Sequence, residues 1–361
     1  MDKVVSADEM DADWFTRLLQ RRGFVGVEVE TVRQNQIGTG QIGKCIRFSL
    51  SYSGDAGDAP FSLVGKFPSD EPLSRETGVN LRNYYREVEF YRHLADGLSI
   101  AIPKCYFTAI VDEGPEFVLL LQDMAPAEPG DQLTGCEPDI ARAAVLELVG
   151  LQAPSWCDES LRQYDWLLPD ENSIDPAEWY GQLLPEFLER YGHALEDDEK
   201  RILARVADAP GCPLFQPVTK PFCIEHVDYR LDNMLIDKSG LKPKVTVLDW
   251  QSLRIGKPMN DVAYFLGAGL VSKVRAQVEE AIVRDYHQAL TAAGIKNYTW
   301  TECWEDYRRG SFSGFAVTVI ASMIVEQTER GDEMFITMAR RHTRHALDLG
   351  ADEFLNQEQQ L

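Results

Sequence analysis

The sequence predicts an α+β chain in two parts. Residues 1–123 would form a five-stranded antiparallel sheet with one inserted helix, and residues 124–361 a mostly helical remainder. Three observations carry that expectation. Short runs rich in β-branched and aromatic residues recur between turn signals from Val27 to Leu121. From Pro138 onward, long stretches place apolar residues at helical spacing. The chain's 361 residues are also enough for two separate cores.

The first part opens with helical spacing over Asp11–Arg22, through Trp14, Leu18 and Leu19. Val27–Ile37 and Cys45–Tyr52 read as strands joined by G-T-G-Q-I-G, with Gly38, Gly40 and Gly43. Glycines there let backbone N–H groups approach phosphates without side-chain obstruction. A glycine pattern alone is weak, because ordinary hairpins also use it. Strand–turn–strand order nevertheless disfavours a dinucleotide fingerprint, which needs strand–turn–helix. A flexible loop, S-G-D-A-G-D-A-P, leads to a third strand, F-S-L-V-G-K-F, carrying Lys66. Lys66 could reach the α- and β-phosphates of a nucleotide; the competing reading is a solvated strand lysine. A helix is expected from about Val79 to Leu94, with Glu87 turned inward to pair with Lys66. A surface ion pair is the alternative for Glu87. Strands over Cys105–Val111 and Phe117–Leu121 complete the sheet. Gln122, Asp123 and Met124 then lie where the chain would leave it.

In the second part, Ala125–Glu137 reads as a loop, and Pro138 opens a helix to about Gln152. Cys157–Asp175 is irregular and aromatic. Helices over Pro176–Tyr191 and Glu196–Ala207 precede the most informative stretch, E-H-V-D-Y-R-L-D-N-M-L-I-D-K-S-G-L-K-P-K-V-T-V-L-D-W-Q, from Glu225 to Gln251. Leu231–Ile236 and Val245–Leu248 read as strands of a hairpin turned at Lys238-Ser239-Gly240. Such a hairpin would bring Asn233 and Asp249 to face one small space. That oxygen pair suits Mg²⁺, which takes hard oxygen ligands and shares them with phosphates and water. Asp228 stands ahead of the pair, where a carboxylate could meet a hydroxyl nucleophile. H-x-D-x(4)-N, followed by a strand ending in Asp, is the layout of a phosphoryl-transfer site. Helices over Ser272–Ala293 and Thr301–His345 would finish the chain.

These motifs resemble those of the aminoglycoside-phosphotransferase-like small-molecule kinases. H-V-D-Y-R-L-D-N and L-D-W-Q match that family's catalytic and metal motifs, with Val227 in place of the usual glycine. R-E-V-E-F-Y resembles the family's R-E-x-x-F-Y helix and selects Glu87 over Glu89. L-L-L-Q-D-M and L-V-G-L-Q-A-P-S-W resemble two further segments, with Gln122 and Gln152 replacing a Glu and a His. Asp-Trp-Gln is most similar to the Asp-Phe-Gln of ecdysteroid-kinase-like members. The resemblance implies a bilobal protein-kinase-like fold, binding of ATP and Mg²⁺, and a connector at Gln122 and Met124 that offers its backbone to adenine. It implies that Asp228 is the catalytic base and that Asp261 braces its loop. His226 would belong to the catalytic loop, packing to hold it.

Composition limits the alternatives. Lys and Arg number 36 against 58 Asp and Glu, for a net charge of −22, and no basic stripe suits nucleic acid. Seven scattered cysteines with no C-x-x-C pair indicate neither zinc nor a disulfide framework. The acidic start lacks the apolar core of a signal peptide. The longest nearly apolar run, Phe315–Val325, is too short to span a bilayer. A cytoplasmic protein is expected, and oligomeric state leaves no mark in the sequence. His342 and His345 are read as core or surface residues, since no third metal ligand is near. Trp166, Trp179, Trp300 and Trp304 suit an acceptor pocket or the core equally. The expected activity is phosphorylation of a hydroxyl on a small acceptor. A non-catalytic nucleotide-binding module and a true aminoglycoside phosphotransferase are the alternatives. A protein kinase is disfavoured, because Asp249 runs into Asp261 too quickly for a long activation loop.

Overall fold

The structure is a computed structural model that describes residues 3–38, 43–169, 174–209 and 211–356. It divides into two compact units, though not at one point in the chain. The first holds Met1–Gly97, Ile102–Pro126 and Asp249–Ser252; the second holds the rest. The segment Asp249–Ser252 therefore belongs to the first unit although the residues on either side of it build the second.

The first unit begins with helix α1 (Ala12–Arg21), whose N-terminus is capped by Asp11 accepting from the Trp14 N–H at 2.8 Å. Strands β1 (Val29–Ile37), β2 (Gly43–Tyr52) and β3 (Ser62–Pro68) follow. Helices α2 (Pro72–Asn80) and α3 (Asn83–His93) come next, then β4 (Cys105–Ile110) and β5 (Phe117–Gln122). The five strands form one antiparallel sheet in the order β1-β2-β3-β5-β4. Alternation in β3 explains its two faces: Leu63 and Phe67 are buried in the core, while Val64 and Lys66 turn to the other side. That core is closed by Trp14, Phe15, Leu18 and Leu19 of α1.

Where one helix is expected over 79–94, there are two. The apolar spacing runs on unbroken, yet Arg82 adopts a left-handed φ of 54° and the helix restarts at Asn83. The turn brings the Tyr84 ring of α3 so close to Gly78 of α2 that any side chain there would collide with it. Arg82 is fixed by a two-pronged pair with Glu113 at 2.8 and 3.1 Å.

The second unit contains β6 (Glu128–Pro129), α4 (Pro138–Gln152), α5 (Pro176–Tyr191) and α6 (Asp197–Ala207). Then come the short strands β7 (Cys223–Glu225), β8 (Met234–Asp237), β9 (Lys244–Val247) and β10 (Arg254–Gly256). They pair as β6-β8-β9 and β10-β7. The expected strand over Leu231–Ile236 is instead a 3₁₀ turn, Leu231–Asn233, followed by β8. The expected loop 125–137 contains β6, which pairs with β8.

Helices α7 (Pro258–Gly269), α8 (Ser272–Ala292) and α9 (Trp300–Gly310) follow, and α7 is buried along nearly its whole length. The single helix expected over Thr301–His345 is broken into pieces. After α9 come α10 (Ser313–Ala316), a π turn over Val317–Ala321, α11 (Ser322–Ile324) and α12 (Glu329–Asp348). Thr318 and Ser322 hydroxyls donate to the carbonyls of Gly314 and Val319 within this stretch. Such back-bonding bends and widens helices. No helix of the described residues is long and apolar enough to cross a membrane.

Candidate active site

The first unit gathers three charged side chains from distant parts of the chain. Lys66 on β3 lies 2.7 Å from Glu87 of α3 and 2.7 Å from Asp249. Burial alone would depress the Lys66 ammonium, but Asp249 and Glu87 outweigh it and hold the group above its ordinary range. Burial pushes the Glu87 carboxyl up, against the pull of Lys66. One ammonium between two carboxylates leaves the triad one negative charge in excess. Asp249 itself has a left-handed φ of 67°, a conformation that a residue keeps only when its surroundings hold it.

Those surroundings are clear. Trp250 is fully buried, and its ring stacks on Phe90 of α3 at 4.0 Å and 5°. Its backbone N–H donates to Glu87, and the Gln251 carbonyl accepts from Asn83 Nδ2 at 3.1 Å. Helix α3 thus carries the lysine's partner and also anchors the segment bearing Asp249. The glycine turn reaches the same sheet: Gly38 has a φ of 73°, and a side chain at Gly43 would meet the Phe67 carbonyl at 2.9 Å. Gly40 lies outside the described residues. At the end of β5, Gln122 is exposed and its N–H donates to the Lys104 carbonyl, so that donor is already engaged. Met124 makes no backbone hydrogen bond among the described residues. Asp123 between them pairs with Arg47 at 2.6 Å and accepts from the Ala125 N–H, which shapes the connector.

The second unit builds the loop that holds His226, Val227 and Asp228. Asp261, in the first turn of α7, accepts from the N–H groups of His226 at 2.7 Å and Val227 at 2.9 Å. His226 is fully buried, and its Nε2 donates to the Leu248 carbonyl at 3.0 Å, because a carbonyl can only accept. Val227 has a φ of 74°, which is costly for a β-branched residue and explains why glycine is the usual choice there.

Asp228 is held by three side chains. Arg230 Nε donates to both its oxygens, at 2.9 and 3.0 Å. Tyr264 Oη donates to Oδ1 at 3.0 Å and Asn233 Nδ2 to Oδ2 at 2.8 Å. Burial pushes this carboxyl up, but the Arg230 guanidinium and the hydrogen bonds outweigh it and keep it below its ordinary value. Arg230 also pairs with Asp232 at 3.0 Å, and Asp232 receives Arg330 at 3.2 Å. Sequence reasoning missed Arg230, Tyr264 and Trp250. Only the first had a visible signal, a cation two residues after the loop aspartate.

Asn233 and Asp249, the expected metal pair, fall in different units. Among the described residues no cluster of three or more His, Cys, Asp or Glu could hold a metal ion. Mg²⁺ needs none, since one or two protein oxygens with phosphates and waters suffice.

Three solved structures share the fold over most of their lengths. A Plasmodium vivax ethanolamine kinase is 11% identical, with a TM-score of 0.53 over 89% of this chain and 85% of its own. A choline kinase from Cryptosporidium parvum is 10% identical, with a TM-score of 0.53 over 89% of each chain. A Ralstonia eutropha protein, described as a candidate aminoglycoside phosphotransferase, is 15% identical. Its TM-score is 0.51, over 92% of this chain and 98% of its own. At such identities the likeness shows a kinase-like fold and nothing finer. Among curated proteins none matches this chain. The family model for the APH phosphotransferase enzyme family matches residues 69–298, well over half of the sequence. The chain therefore belongs to the phosphotransferase enzyme family.

Proposed function

We propose that the protein transfers the terminal phosphoryl group of ATP, with Mg²⁺, to a hydroxyl group of a small molecule. The observation that carries this reading is Lys66 seated between Glu87 and Asp249 at 2.7 Å from each. A buried, charged lysine fits the α- and β-phosphates, and Gly43 leaves the backbone beside Lys66 uncovered. Glu87 keeps the lysine extended, and the excess negative charge suits a divalent cation.

Asn233 and Asp249 are the residues that would hold Mg²⁺, through hard oxygen atoms. When bound, the ion supplies charge neutralisation across the phosphate oxygens. Gln122 and Met124 are assigned to the adenine edge, with Met124 the better candidate because the Gln122 N–H is engaged.

Asp228 would orient the acceptor hydroxyl and accept its proton late, as the oxygen becomes acidic. Three donors around it favour the charged form, which suits a fixed acceptor rather than a strong base. His226 and Asp261 keep its loop in place. Asp228 is paired with Arg230 and Asp232 with Arg330, which lowers the negative charge that the loop offers a polycation. A neutral, partly apolar alcohol is therefore the assigned acceptor class over an aminoglycoside. The seven free thiols agree with a reducing, cytoplasmic setting.

The test is ADP release from Mg-ATP with ethanolamine, choline, hydroxylated steroids and kanamycin offered in turn. A hydroxylated compound should raise the rate, and Asp228→Asn should remove the increase. Acceptor-stimulated turnover that survives Asp228→Asn would sink the assignment, and absence of Mg-ATP binding would sink the reading as a whole.

A further inference from the structure

The face of α7 turned to the catalytic loop presents two polar groups one turn apart. Asp261 holds the loop's backbone, and Tyr264 donates to the Asp228 carboxylate at 3.0 Å. Tyr264 is 1% exposed, and burial with Asp228 beside it keeps its hydroxyl protonated, so it acts as donor. Behind it, His342 of α12 stacks on the tyrosine ring, with centroids 5.1 Å apart and planes 16° from parallel.

His342 is a costly residue to bury. Neither ring nitrogen has a hydrogen-bond partner among the described residues, and burial drives its pKa down to about 3, so the ring is neutral. Room for it is made by two glycines. A side chain at Gly267 would meet His342 Nδ1 at 2.8 Å, and one at Gly314 would collide with the same ring. Gly314 is thus kept clear for a ring that stacks on the back of Tyr264, and Gly267 for that ring and His345 together.

We propose that Tyr264 is a positioning residue for Asp228, and that His342 acts through it by fixing the plane of its ring. This inference rests on the phosphotransferase reading above for its consequence in turnover, but its geometry stands apart from that reading. Of the four hydrogen bonds to Asp228, three come from Arg230 and Asn233 on the same short loop. Among the described residues, only Tyr264 brings its hydrogen bond to the carboxylate from a buried helix. Its loss should free the carboxylate to rotate without changing how nucleotide binds.

The experiment compares wild type, Tyr264→Phe, His342→Ala and the double variant, with Asp228→Asn as reference. It measures ADP release from Mg-ATP with water as acceptor, melting temperature, and crystal structures of wild type and Tyr264→Phe. Tyr264→Phe should lower kcat about 10-fold, a part of the 10²–10⁴-fold worth of a positioned base. The KM for ATP should stay within about twofold, and the Asp228 carboxylate should turn from its wild-type position in the crystal. His342→Ala should lower both melting temperature and kcat. In the Tyr264→Phe background it should lower only the former, since residues acting through one another are not additive. A tyrosine that merely fills the core predicts unchanged kcat and an unmoved carboxylate in Tyr264→Phe; that result would overturn the proposal. Should wild type release no more ADP than Asp228→Asn, the phosphotransferase reading fails instead. The position of the Asp228 carboxylate then still decides whether Tyr264 positions it.

Discussion

The charged triad of the first unit and the aspartate loop of the second are built on opposite plans. Lys66, Glu87 and Asp249 come from positions up to 183 residues apart and meet as side chains, with one negative charge left over. Asp228 is held mostly by near neighbours, Arg230 and Asn233, and by a helix whose Asp261 grips backbone rather than side chain. Its charges cancel. An unbalanced cluster is suited to receive a cation, and a balanced one to hold a single group still. The two plans match the two demands of phosphoryl transfer, charge neutralisation and positioning.

Breaking the positioning side should have the largest effect on rate. Asp228→Asn is expected to lower kcat by about 10²–10⁴ and leave Mg-ATP affinity close to wild type. Steady-state kinetics beside calorimetric titration of Mg-ATP check this; equal losses in both would mean that the loop also binds nucleotide.

On the other side, Asp249→Ala removes the excess charge of the triad. Calorimetry should show Mg-ATP binding abolished, against a milder loss in Asn233→Ala, which deletes no charge. Lys66→Met should raise the KM for ATP and lower kcat together. It should also destabilise the fold by about 3–5 kcal/mol in denaturant titration, because Glu87 is left buried without its partner. Glu87→Gln should follow the same direction more mildly.

The smallest effect sharpens the comparison from the backbone. Val227→Gly should raise stability by about 1 kcal/mol. Relief of a left-handed β-branched residue is worth about 1–3 kcal/mol, and glycine's added chain entropy takes back part of it. A chemical denaturation midpoint that falls in this variant would mean that Val227 packing outweighs its strain.

The two plans also explain what could be read from the sequence. The five strands and the meeting of Lys66 with Glu87 were legible, the strands because alternation is a local signal and Glu87 because R-E-V-E-F-Y resembles the family's helix. The Asp261 contact with the loop backbone was legible only through the family resemblance. The break at Arg82 was not legible, because the apolar spacing on either side of it is continuous. Tyr264 hides in an apolar helix where a tyrosine looks like core. Asp249 follows β9 in sequence, yet aromatic stacking and not strand continuity assigns its segment to the first unit. Such contacts depend on tertiary packing and have no period.

That stacking bears on how the protein could be inhibited. Trp250 lies flush on Phe90 and is fully buried. A compound that needed the aspartate-bearing segment turned outward would have to expose roughly 150–250 Å² of indole surface. At about 25 cal/mol per Å² that is ~4–6 kcal/mol, so the outward form is populated less than about once in a thousand molecules. Drug chemistry that works by capturing an outward-turned segment would lose about that factor in potency here. Compounds shaped to the resting arrangement would not.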